Sequence, residues 1–123
     1  MLEKHSLNLL RDALETLDEG FSSLPDFAPE SGDRAAMQSV LQETAERLHD
    51  NYPYFHPLYA GQMLKPPHPV ARAAYALAMW INPNNHALDG GRASSRMEME
   101  AVTAIAAMFG WTEFLGHLTT SGT

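Results

Sequence analysis

The sequence predicts a mainly α chain, about four helices followed by a first strand, with the sheet that this strand opens lying downstream. Three observations predict it. Leu7, Leu10, Leu14, Leu17 and Phe21 recur in steps of three and four, the period of an amphipathic helix. Val70 to Ile81 is an almost unbroken apolar run of helical length. Phe114 to Leu118 is a short apolar run that leads into Thr119-Thr120-Ser121-Gly122-Thr123, a strand passing into a turn.

In chain order, the first helix is expected over Leu2 to Phe21, with Glu3, Arg11, Asp12, Glu15 and Asp18 largely off its apolar face and Gly20 ending it. Ser22 to Asp33 holds Pro25, Pro29 and Gly32 and reads as a linker. Asp33 is a good N-cap for a second helix through Leu48, with apolar contacts expected from Met37, Val40, Leu41, Ala45 and Leu48. Asn51 to Pro69 contains five prolines, which exclude a long helix and point to an extended, packed loop. The apolar run Val70 to Ile81 suits a buried helix, ended by Asn82-Pro83-Asn84-Asn85. Asp89-Gly90-Gly91-Arg92 reads as a turn. Ser94 or Ser95 then caps a helix to Phe109, with Glu98 in the place of a capping-box acid and Gly110 as terminator.

Composition narrows the function classes. Of 123 residues, 45% are hydrophobic and 19% charged, as in an ordinary globular protein. Eight basic against 15 acidic residues argue against nucleic acid or an anionic membrane surface as partner. No apolar run approaches the roughly 20 residues of a membrane span, and the N-terminus lacks the pattern of a secretory signal. The absence of cysteine removes disulfides, thiol nucleophiles and thiolate metal sites, and a cytoplasmic location fits.

Few residues carry chemistry on their own. The six histidines include no pair at the i, i+4 spacing of a helical zinc site, so no metal site is expected. Glu98 and Glu100 stand two apart on a helix and point in different directions, unlike an acid/base pair. Met97, Met99 and Met108 suit packing better than ligation. Ser121-Gly122-Thr123 is different in kind: small hydroxyl residues around a glycine leave backbone N–H groups open to an anion, an arrangement that works where a helix begins. The turn comes at the end of the sequence, and the chain reads as the front part of a longer protein.

Three blocks are specific in their order and spacing. His56-Pro57-Leu58-Tyr59-Ala60-Gly61-Gln62-Met63 resembles the His-Pro-x-Phe-x-x-Gln loop of the group II pyridoxal-phosphate decarboxylases, which include the glutamate and aromatic amino-acid decarboxylases. Asn82-Pro83-Asn84-Asn85-His86 to Arg92-Ala93-Ser94-Ser95-Arg96-Met97-Glu98-Met99-Glu100 resembles that family's loop into a Glu-x-Glu helix. Leu118-Thr119-Thr120-Ser121-Gly122-Thr123 is similar to the start of its cofactor-phosphate motif. The resemblance runs from Asn51 to the end, and residues 1–50 match only as a helical N-terminal extension.

The resemblance implies the N-terminal part of an α/β fold of type I. Residues 51–123 would form the substrate-loop segment and the incomplete start of the domain that binds pyridoxal 5'-phosphate. It implies that Ser121, Gly122 and Thr123 hold the cofactor phosphate, and that Tyr59 and Gln62 contact an amino-acid substrate. It also implies that His86 and Leu88 reach the active site of the other subunit of a homodimer. Relatives acting on aromatic substrates carry a bulkier aromatic-proline run at Ala60 to Met63, so the likeness does not extend to an aromatic substrate. In that family the lysine that anchors the cofactor, an Asp for the ring nitrogen and a His stacked on the ring follow the phosphate motif. This chain has only Lys4 and Lys65, in other contexts, so no catalytic residue is expected within it and the polypeptide alone is expected to be inactive. Two alternatives remain: a non-catalytic helical dimerisation module built on Val70 to Ile81, and a pyridoxal-phosphate enzyme of another reaction type, such as an aminotransferase.

Overall fold

A computed structural model describes residues 2–26, 32–61, 65–84 and 89–119. Four helices form in the order α1 (Ser6–Glu19), α2 (Arg34–Leu48), α3 (Pro69–Ile81) and α4 (Arg92–Met108). The chain divides into two compact units, residues 1–77 and 78–123.

In the first unit, α1 is shorter than its apolar period suggests, because local side-chain bonds compete with helix at its start. The Glu3 carboxylate accepts from the Ser6 amide at 2.8 Å and the Ser6 hydroxyl at 2.7 Å, turning the chain just before the helix. Leu10, Ala13, Leu14 and Leu17 are half-buried and form one stripe. Arg72, on α3, donates to Glu3 at 3.0 Å and ties the arm before α1 to that helix. α2 starts as expected: Asp33 is extended at φ −81° and ψ 105°, and its Oδ1 accepts from the amides of Ala35 at 2.9 Å and Ala36 at 3.2 Å. Met37, Val40, Leu41, Ala45 and Leu48, expected to bury apolar contacts, are all exposed.

α3 opens at Pro69, whose fixed φ and missing N–H suit a first helical position. It closes at Asn82, which takes a left-handed φ of 48° and donates its amide to Ala78 at 2.8 Å. The expectation of a buried helix is corrected. Only the stripe Pro69, Arg72, Ala73, Ala76 and Leu77 is half-buried, while Tyr75 is 74% and Trp80 61% exposed. An apolar sequence sets the need for cover on every side, but only one side finds it among the described residues.

In the second unit, α4 begins at Arg92, with Gly91 in the N-cap position and no side chain capping it. Capping by Ser94 or Ser95 is therefore corrected: both serines lie inside the first turn. The Ser95 amide donates to Gly91 O at 2.7 Å and the Ser94 hydroxyl to the same oxygen at 3.3 Å. The helix ends as expected. Gly110 takes φ 72°, its amide donates to Ala107 and that of Trp111 to Ala106, the two bonds of a Schellman closure. Phe109 and Trp111 stack across this turn at 5.0 Å.

The strand expected from Phe114 is also corrected, since the described residues 114–119 form no strand. A strand exists only through hydrogen bonds to a neighbour, and the described residues offer this segment no second strand. Leu115, apolar and fully exposed, lies in it. The described residues are thus mainly α, as the sequence predicts, and form no sheet.

Candidate functional site

Of the residues singled out from sequence, Tyr59 is described. Gln62, His86, Leu88, Ser121, Gly122 and Thr123 lie outside the described residues. Two side-chain constellations are built around what remains, one in each unit.

The first is an aromatic loop. Prolines at 53 and 57 deny the segment a helix, and short turns replace it: His56 N donates to Pro53 O at 2.8 Å and Tyr59 N to His56 O at 3.0 Å. These turns bring three tyrosines together. Tyr59 stacks on Tyr52 at 5.9 Å and meets Tyr54 edge-on at 5.3 Å, while Tyr52 and Tyr54 meet at 6.4 Å. Lys65 closes the loop. Its Nζ donates to the Tyr59 carbonyl at 2.8 Å and the His56 carbonyl at 3.4 Å, and lies 5.6 Å from the centre of the Tyr59 ring. The Tyr59 ring therefore packs within its own loop and against a cation of that loop.

The second joins α4 to the segment that follows it. Glu98 Oε1 accepts from His117 Nδ1 at 2.5 Å and from the Leu118 amide at 2.9 Å. The Glu98 side chain is 18% exposed and that of His117 71%, so the carboxylate is the sheltered partner. Ser94, Met97, Glu98, Ala101, His117 and Leu118 line an open groove here. Gly116 makes the close approach: a Cβ on it would lie 2.5 Å from Val102 Cγ1. The expectation of a capping role for Glu98 is corrected, because α4 starts too early for it and its carboxylate turns to the returning chain. Sequence reasoning missed these contacts because Glu98 stands far along the chain from His117 and, 20 residues on, Leu118, and they share no pattern. Gly116 before His117 was the available signal of a close approach.

Among the described residues no three of His, Cys, Asp and Glu gather where a metal ion would be held. No described helix is long and apolar enough to cross a membrane. The donor chemistry of Ser121-Gly122-Thr123 suits a phosphate. A covalent anchor for pyridoxal phosphate is a different matter. Lys65 Nζ is committed to two carbonyls and a ring face, and the remaining lysine, Lys4, is exposed in the arm before α1. Neither fits that role, and no step of cofactor chemistry is assigned to this chain.

Comparison with known proteins agrees in class. The chain is similar to a decarboxylase, and the particular relative is the L-tyrosine decarboxylase of Enterococcus faecium, 32% identical over 117 residues. The match covers 94% of this chain and 19% of that enzyme, so the chain spans about a fifth of the relative's length. No protein-family model matches the chain, and no solved structure matches it.

Proposed function

We propose that this chain is the N-terminal segment of a pyridoxal-phosphate-dependent amino-acid decarboxylase. In this reading it supplies dimer contacts, part of the substrate loop and the start of the cofactor-phosphate site. The observation that carries the reading is the 32% identity with a tyrosine decarboxylase along nearly the whole chain. The ordered blocks His56 to Met63, Asn82 to Glu100 and Leu118 to Thr123 are in keeping with it. The chemistry the cofactor supplies when bound is an electron sink for the pair left as the α-carboxylate departs as carbon dioxide.

The tasks of this chain's own residues are positional. Ser121, Gly122 and Thr123 bind the phosphate through backbone amides and hydroxyls. Tyr59 and Gln62 border the substrate side chain. His86 and Leu88 reach the second subunit of a homodimer. The substrate is an amino acid, and the small Ala60-Gly61 pair argues for a side chain other than a large aromatic one, in contrast to the relative's tyrosine. The test supplies the protein expressed from its native gene with pyridoxal phosphate and a panel of amino acids, tyrosine and glutamate included, and assays carbon dioxide and the amine. Release of both from one amino acid supports the reading. With a 2-oxo acid added as amino acceptor, a keto acid in place of the amine moves it to transamination, and no product from any amino acid overturns it.

A second reading, a helical dimerisation module, is favoured by one observation: α3 exposes Val70, Tyr75, Met79 and Trp80. Apolar cover of that kind calls for a partner. A native gene product of 13.6 kDa that self-associates and binds no cofactor would favour it.

A further inference from the structure

We propose that Lys65 is a positioning residue that, with Gly61, fixes the ring of Tyr59 as a wall of the substrate site, and that this wall turns away large aromatic side chains. The proposal rests on the reading of Tyr59 as a substrate contact, and adds to it the residues that set the ring's place.

The main chain of Tyr59 is held first. Its amide donates to the His56 carbonyl at 3.0 Å and closes a turn. Inside that turn His56 Nδ1 accepts from the Leu58 amide at 3.2 Å. Lys65 Nζ then joins the two ends of the turn, donating to the Tyr59 carbonyl at 2.8 Å and the His56 carbonyl at 3.4 Å. A compact ammonium with its several donors can serve two carbonyls at once, and an apolar side chain of similar length serves neither.

The ring is held second. Tyr59 is half-buried, stacked on Tyr52 with 25° between the planes and set edge-on to Tyr54 at 75°. The same Lys65 Nζ lies 5.6 Å from its centre. Gly61 admits the ring to this place. A Cβ on residue 61 would stand 2.6 Å from Tyr59 Cζ and closer still to the hydroxyl oxygen, so with any other residue there the ring must move. One lysine thus holds both main chain and ring, and one glycine makes room for the ring.

This arrangement bears on substrate choice. The room left by a residue without a side chain at 61 is filled by the chain's own ring, and is not left for the ring of a substrate. Turning that ring aside would break its contacts with Tyr52, Tyr54 and Lys65. A substrate therefore meets a fixed wall in place of a side chain free to adapt. Selectivity is a difference in transition-state fit, and a wall discriminates only as far as it stays in place.

The test uses the protein expressed from its native gene, with Lys65→Met, Lys65→Arg and Gly61→Ala. Hydrogen exchange at the Tyr59 amide is read without substrate. The second reading is the ratio of kcat/KM for the best non-aromatic amino acid to that for tyrosine, which in the parent favours the non-aromatic one. In K65M exchange should be about fivefold faster, as for the loss of one hydrogen bond, and the ratio about tenfold lower as tyrosine gains. K65R, which keeps a cation and donors, restores most of both. G61A, which drives the ring from its place, lowers the ratio in the same direction. A merely structural role would lower the melting temperature and reduce kcat/KM for every amino acid alike, and an unchanged ratio in K65M overturns the proposal. Unchanged exchange in K65M overturns it equally, as does a parent that prefers tyrosine. A parent that decarboxylates no amino acid removes the reading of Tyr59 as a substrate contact and the wall with it. That failure is distinct from an active parent whose ratio K65M leaves alone, which overturns the positioning role only. If K65M does not fold, G61A decides: an unchanged ratio overturns the wall, and a lowered one supports it.

Discussion

Lys65 folds back on Tyr59, its Nζ 2.8 Å from the Tyr59 carbonyl oxygen and 5.6 Å from the centre of the ring. A lysine held this way closes a loop and is not placed to react with an aldehyde. We predict that reduction of the protein with borohydride in the presence of pyridoxal phosphate leaves Lys65 unmodified, as read by peptide mass spectrometry. Lys65→Met should loosen the loop by about 0.5–1.5 kcal/mol, the net worth of a typical hydrogen bond, with faster proteolysis between residues 52 and 65 as the measure. A specific pyridoxyl adduct on Lys65 would contradict this.

Gly116 and Val102 give a packing prediction. Gly116→Ala puts a methyl 2.5 Å from Val102 Cγ1, a stiff β-branched side chain on a helix. The cost should be about 1–3 kcal/mol, the range for overpacking. Val102→Ala in the same chain should recover much of it, a coupling that a double-mutant cycle by urea unfolding measures directly. Additive effects would show that the two do not meet.

The arm before α1 carries a pH dependence of known sign. The Ser6 hydroxyl and, next, the Ser6 amide hold the Glu3 carboxyl below its ordinary value of 4.5, with Arg72 adding a smaller pull. A depressed carboxyl stabilises the folded form above its ordinary pKa, and that contribution disappears as pH falls through the lowered value. The first turn of α1 should therefore loosen on acidification below 4.5, seen as faster amide exchange at Ser6 and Leu7. Glu3→Gln should flatten the profile, and a profile unaffected by that change would remove Glu3 as its cause.

Asp33 tests the capping argument. Asp33→Ala strips two amides of their acceptor at the start of α2. The expected cost is about 1 kcal/mol, read as exchange roughly fivefold faster at Ala35 and Ala36. Asp33→Ser should recover most of it.

The helices were legible because their signals are local. Asp33 before α2 and Gly110 after α4 work through bonds to residues two to four positions away, and the sequence displays both partners side by side. The start of α4 was misread because serine, a good cap in isolation, competes with Gly91, and Gly91 won by accepting the first turn's bonds on its carbonyl. Burial of α3 was not legible at all. Apolar residues state a need for neighbours without naming them, and Tyr75 and Trp80 remain exposed. The Glu98–His117 contact was invisible for a related reason, being tertiary and without a repeat. Of the proposed site, Tyr59 sits among its own loop's tyrosines.

The most direct test of the central claim, that this chain is the front segment of a pyridoxal-phosphate decarboxylase, is the intact mass of the native gene product before and after borohydride reduction with the cofactor. The account predicts a mass several times 13.6 kDa and one pyridoxyl group on a lysine other than Lys4 or Lys65. A product of 13.6 kDa, or a longer one that takes up no pyridoxyl group, would contradict it.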